Sequence, residues 1–108
     1  DILEGHLSSA LCHTSMISHQ LGTVAKSNEI GSRVKDMGPY AESWARMEDH
    51  LNNNEVKIDG GKLLLGALLE MDTKTERFTN NEAANKLLTR DYRKGFEVPD
   101  LTPIAKAN

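Results

Sequence analysis

The sequence predicts a mainly α fold, and three observations carry that prediction. Apolar residues recur at three- and four-residue steps through residues 2–25. Pro39 stands ahead of a second apolar stripe, Tyr40, Trp44, Met47 and Leu51. Thr79-x-x-Glu82 has the pattern of a capping box in front of a short helix. With 108 residues and a net charge of −3, the chain is read as one unit, 1–108.

The first element is a long amphipathic helix over 2–25. Leu3, Leu7, Ala10, Leu11, Thr14, Ile17, Leu21 and Val24 fall on one stripe at 100° per residue. Ser8, Cys12, Ser15 and His19 lie on the opposite side, where their small or adaptable side chains suit close packing by a second surface. Residues 26–38 are polar, contain two glycines and read as a connection. A second helix follows over 39–52. It closes at Asn52-Asn53-Asn54, because asparagine tolerates turn geometry.

Residues 55–61 read as a short extended piece and a turn. The apolar run 62–71, interrupted by Gly66, fits strand or helix; a strand over 67–71 is preferred, with a turn at Asp72-Thr73-Lys74-Thr75. In the short helix over 80–89, Thr79 serves as cap, and Ala83, Ala84, Leu87 and Leu88 face inward. The tail 90–108, with Tyr92, Phe96 and Pro99, reads as extended.

Composition narrows the function. Leu, Ile, Val and Phe make up 24 residues, a lean core for a free-standing domain, so a monomer leaves part of its apolar surface uncovered. The interface expectation falls on Leu3, Leu7, Leu11, Ile17 and Leu21 of the long helix and on Tyr40, Trp44, Met47 and Leu51 of the second. These stripes imply a homo-oligomer or a larger partner. The acidic balance argues against generic nucleic-acid binding. No run approaches the length of a membrane span. A lone cysteine, Cys12, excludes an internal disulfide and a multi-cysteine zinc site.

Catalytic signatures are few. Gly61 and Gly66 have the spacing of a phosphate loop, but Ala67-Leu68 stands where Lys-Ser/Thr is needed. Ser32-Arg33-Val34-Lys35 matches S-x-x-K without its companion motifs. His6 and His13 share a helix flank about 10 Å apart, too far to chelate one metal. Cys12, Met16 and His19 have the spacing of a soft-metal set, but a thiol and a thioether more commonly pack. Lys86, Arg90, Arg93 and Lys94 form a basic cluster, diluted by Asp91, that suits a solvated or intersubunit face. No catalytic, cofactor-binding or metal residue is assigned. His6 alone stands as a candidate for a substrate cavity, since imidazole is the usual general acid or base.

Two sets of ordered motifs carry a resemblance. Glu4-Gly5-His6, Ser8, Ser9, Ala10, Leu11, Cys12-His13, Ile17-Ser18 and Leu21-Gly22 form the first. The second is Leu69-Glu70-Met71-Asp72, Thr75-Glu76-Arg77-Phe78, Glu82-Ala83-Ala84-Asn85, Leu87-Leu88-Thr89-Arg90, Tyr92-Arg93 and Phe96-x-Val98-Pro99. Over about 2–22 and 63–99 the chain resembles the C-terminal region of bacterial oxidoreductases of the glucose–fructose oxidoreductase/inositol dehydrogenase (Gfo/Idh/MocA) family. The middle, with Trp44 and His50-Leu51, resembles an insertion of a bacterial subgroup. Thr73 and Gly95 stand where prolines are usual, and Thr14-Ser15 replaces a Leu-Gly pair.

The resemblance implies a fragment of a larger α/β C-terminal domain. The parent would carry an upstream Rossmann and sheet portion and use NAD or NADP on sugar-like alcohols. The family's cofactor glycines and catalytic lysine and histidine lie upstream of this stretch, so the chain alone is not expected to be catalytic or to bind cofactor. A bacterial parent is implied, cytoplasmic or exported, with any signal upstream. The alternative is an independent helical protein–protein interaction module.

Overall fold

The computed structural model describes residues 1–58, 60–61 and 63–99. It contains four helices and two two-stranded antiparallel sheets. Helices account for 48 % of the described residues, so the fold is mixed rather than mainly α.

Helix α1 spans Ile2–Gln20. The Asp1 carboxylate caps it by accepting from the Leu3 N–H at 3.2 Å. The expected helix over 2–25 therefore ends early. The chain turns at Leu21, and the Gly22 N–H returns to the His19 carbonyl. Thr23–Ala25 then forms β1, paired with β2 at Leu63–Leu65, so that Val24 faces Leu64 across the ladder. The cause is a close approach. A Cβ on Gly22 would sit 2.7 Å from Leu64 Cδ2 and 2.8 Å from the Leu65 carbonyl oxygen, so only glycine lets β2 lie against the end of α1.

The polar stretch read as a connection contains a helix, α2, at Ser27–Val34. The Glu29 side chain accepts from the Lys26 backbone N–H at 2.8 Å, the return half of a capping box. Ile30 is its buried anchor. Helix α3 spans Pro39–Asn53, one residue longer than expected, with Pro39 in its first turn. Gly38, at φ +48°, makes the turn before it. Helices α2 and α3 pack together: the Trp44 indole lies against Gly31, and the Ser27 hydroxyl donates to Glu48.

The strand expected over 67–71 is also displaced. The run divides into β2 and, after an irregular stretch at 66–70, β3 at Met71–Asp72. Strand β3 pairs with β4, Arg77–Phe78, around a turn over 73–76. The irregular stretch is tied to α1 instead, through Ala67 and Ser18.

Helix α4 spans only Glu82–Lys86, and its cap is Asn81, whose side chain accepts from the Ala84 N–H at 3.0 Å. Thr79 is not the cap. Its backbone N–H and its hydroxyl both donate to the Glu70 carbonyl, extending the hairpin ladder, so the helix starts two residues later than expected. Residues 90–99 follow without regular structure; the rest of the expected tail, 100–108, lies outside the described residues.

Ile17 of α1, Phe78 of β4 and Ala84 of α4 form the buried cluster, with Leu21, Leu69, Met71 and Leu88 packed around it. Ala83 and Leu87, expected inward, are exposed. Asn85 binds this cluster to the sheet. Its Oδ1 accepts from the Phe78 N–H at 2.8 Å and its Nδ2 donates to the Phe78 carbonyl at 2.9 Å, as a neighbouring strand would. The radius of gyration, 18.5 Å, exceeds the roughly 13 Å of a compact chain of this length.

Candidate functional site

The core holds only the last turns of α1. A 19-residue helix is about 28 Å long, and the buried cluster takes in Ile17, with Leu21 just beyond the helix, but no side chain of its first turns. Of the expected interface residues, Ile17 is buried and Leu21 half-buried, whereas Leu3, Leu7 and Leu11 are 58 %, 54 % and 72 % exposed. On α3, Tyr40 and Met47 are exposed, while Trp44 and Leu51 are half-buried within the chain. The structure thus divides each stripe into an internal part and an uncovered part.

Between α1 and the hairpin lies a half-open, mostly apolar cavity of about 810 Å³. One wall is α1, through Ile2, His6, Ala10, His13 and Ile17. The other is formed by Met71, Thr73 and Glu76 of the hairpin, with Leu87 and Leu88 beyond α4. His6 Nε2 and Glu76 Oε1 meet at 2.7 Å across it, both side chains about half exposed. Glu76 sits at φ +53°, in the turn that aims it toward α1.

His6, the sequence's candidate, therefore lines a cavity. Its partner was not legible: Glu76 is 70 residues away, and the carboxylate reads as an ordinary turn residue. A carboxylate on one imidazole nitrogen fixes the tautomer and leaves the other as acceptor. His13 lines the same cavity two turns on.

Asp72 begins the hairpin turn. The Lys74 N–H, donating at 2.8 Å, and then the Thr75 hydroxyl hold its carboxyl below the usual aspartate value. Cys12, Met16 and His19 are all exposed, and among the described residues no group of three or more His, Cys, Asp or Glu converges on a metal-sized site. The basic cluster is exposed, and two of its members rest on local aromatics: Arg93 stacks on Phe96 with its guanidinium 4.0 Å from the ring centre, and Arg90 lies 5.9 Å from the Tyr92 ring. No described helix is long and apolar enough to cross a membrane.

The turn from β1 into α2 is Ala25-Lys26-Ser27, with no glycine to admit a pyrophosphate against the helix N-terminus. No protein-family model, curated protein or solved structure matches the chain.

Proposed function

We propose that this chain is the C-terminal structural portion of an NAD(P)-dependent oxidoreductase of the Gfo/Idh/MocA type. In the whole protein it would act with an upstream Rossmann and sheet portion on sugar-like alcohols. The chain's own task is packing, not catalysis, and the cofactor belongs to the upstream portion.

One observation carries the reading beyond its motifs. The helix that bears Glu4-Gly5-His6 leaves Leu3, Leu7 and Leu11 uncovered beyond the core. Complete burial of a fully exposed leucine is worth about 1.5–3 kcal/mol, and these three retain more than half of that exposure, so the surface suits a permanent apolar cover. The alternative, an independent helical interaction module, draws on Tyr40 and Met47, exposed on α3.

The coding sequence upstream of Asp1 separates the two readings. The oxidoreductase reading expects a strand–turn–helix with G-x-G-x-x-G and an E-K-P segment there; an upstream sequence without them overturns it. A double change, Leu7→Asp with Leu11→Asp, is then expected to abolish folding or assembly of the whole protein. The isolated chain should keep its helical circular dichroism, since both positions are exposed in it.

A further inference from the structure

We propose that the cavity between α1 and the β3–β4 hairpin is a binding site for a small molecule with an apolar body and a primary ammonium head, which Glu76 receives. Its volume, about 810 Å³, is within the range of small-molecule sites, roughly 300–1,000 Å³.

The charge of the lining selects the head group. Among the described residues Glu76 is the one Asp or Glu lining the cavity, and no Lys or Arg lines it. An anionic ligand would meet the Glu76 carboxylate with no Lys or Arg among the described lining residues to offset it, only the imidazoles of His6 and His13, which disfavours phosphate or carboxylate chemistry here. A carboxylate accepts at two oxygens, and His6 Nε2 occupies only Oε1. The second oxygen is the acceptor for the ammonium. Thr73 on the same hairpin also lines the cavity.

The walls select the body. Ser9, His13 and Thr14 add polar groups to the α1 wall, but Ile2, Ala10, Ile17, Met71, Leu87 and Leu88 make the lining mostly apolar, so many of a polyol's hydroxyls would lose water uncompensated. An alkyl chain loses nothing there. The site therefore differs in chemistry from the sugar-like alcohols of the proposed parent. It is tested on this chain without cofactor, so its failure and the failure of that reading are separable.

The experiment titrates the 108-residue chain at neutral pH with n-hexylammonium, n-hexanoate and myo-inositol, following the Met16 and Met71 methyl resonances by NMR. Both methionines line the cavity. Saturable shifts with hexylammonium, and none with hexanoate or inositol, are the expected result. Glu76→Gln should weaken hexylammonium roughly fivefold, the upper range for an exposed ion pair. Ser9→Trp, an exposed position on the rim, should fill the space and abolish the shifts without disturbing the core. The proposal is overturned if hexylammonium gives no saturable shift, if hexanoate binds as well, or if Glu76→Gln leaves the affinity unchanged.

Discussion

Ser18 and Ala67 hold each other through two hydrogen bonds: the Ala67 N–H donates to the Ser18 carbonyl at 2.9 Å, and the Ser18 hydroxyl donates to the Ala67 carbonyl at 2.7 Å. This exchange joins the last turns of α1 to the irregular stretch between β2 and β3. It satisfies both polar groups of a residue outside any ladder. Gly66 makes it possible, because a Cβ there would stand 2.5 Å from the Ser18 hydroxyl oxygen.

Gly66→Ala is therefore expected to destabilise the chain by about 1–3 kcal/mol, the range for forcing extra volume into a filled space. Ser18→Ala should cost about 1 kcal/mol, the net worth of one hydrogen bond. Urea denaturation followed by circular dichroism measures both. A Gly66→Ala variant as stable as the parent chain would show that the two segments are not in contact.

Asn85 supplies a second long-lever contact. It gives Phe78 both partners that a missing strand would provide. Asn85→Ala removes both bonds beside a buried aromatic residue and should cost about 2–3 kcal/mol. Asn85→Asp keeps the acceptor but sets a carboxylate oxygen against the Phe78 carbonyl and Glu82, which Nδ2 now serves, so it should be no more stable than Asn85→Ala. An Asn85→Asp variant as stable as the parent chain would contradict the paired geometry.

The two candidate caps of α4 are separable by substitution. Asn81→Ala should cost about 0.5–2 kcal/mol, as loss of a cap does. Thr79→Ala should cost less, because its hydroxyl donates at 3.3 Å to a carbonyl that also receives the Thr79 N–H. A larger effect at Thr79 would restore the expected capping box.

Acid should loosen the hairpin turn through Asp72. Its carboxyl is held below the usual value of 3.8 by the Lys74 N–H first, then by the Thr75 hydroxyl. A carboxyl depressed in the folded state contributes stability that is present above the unfolded value and lost as pH falls through the folded one. An NMR titration of Asp72 should therefore show a midpoint below 3.8. In Asp72→Asn the hairpin should lose that acid-dependent step. A midpoint at or above the usual aspartate value would rule out the turn contacts as described.

The isolated chain is expected to give no saturable heat with NAD(H) or NADP(H) in calorimetry, because both strand-to-helix turns among the described residues, β1 into α2 and β4 into α4, lack glycine. Low-micromolar binding would refute that.

The features legible in the sequence were those set by short-range physics. Pro39 and the stripe behind it located α3, and the 3.6-residue period located most of α1. What escaped depends on contacts distant in sequence. Val24 continues the helical stripe, yet pairing with Leu64 claims it for a strand. Thr79 and Asn81 both suit a cap, but the Glu70 carbonyl occupies Thr79 and leaves the cap to Asn81. Helix α2 has a single buried anchor, Ile30, in an otherwise polar stretch, so no periodicity announced it. Of the candidate site, His6 stood out by residue type, whereas Glu76 became its partner only through the hairpin turn.

The contact between Trp44 and Gly31 makes the protein its own optical reporter. Trp44 is the chain's one tryptophan and is half-buried between α2 and α3. Its fluorescence therefore follows the parting of that helical pair, while the cavity beside α1 stays dark at the same wavelengths. Comparing tryptophan emission with far-ultraviolet dichroism during denaturation will reveal whether the pair melts with the rest of the chain or ahead of it.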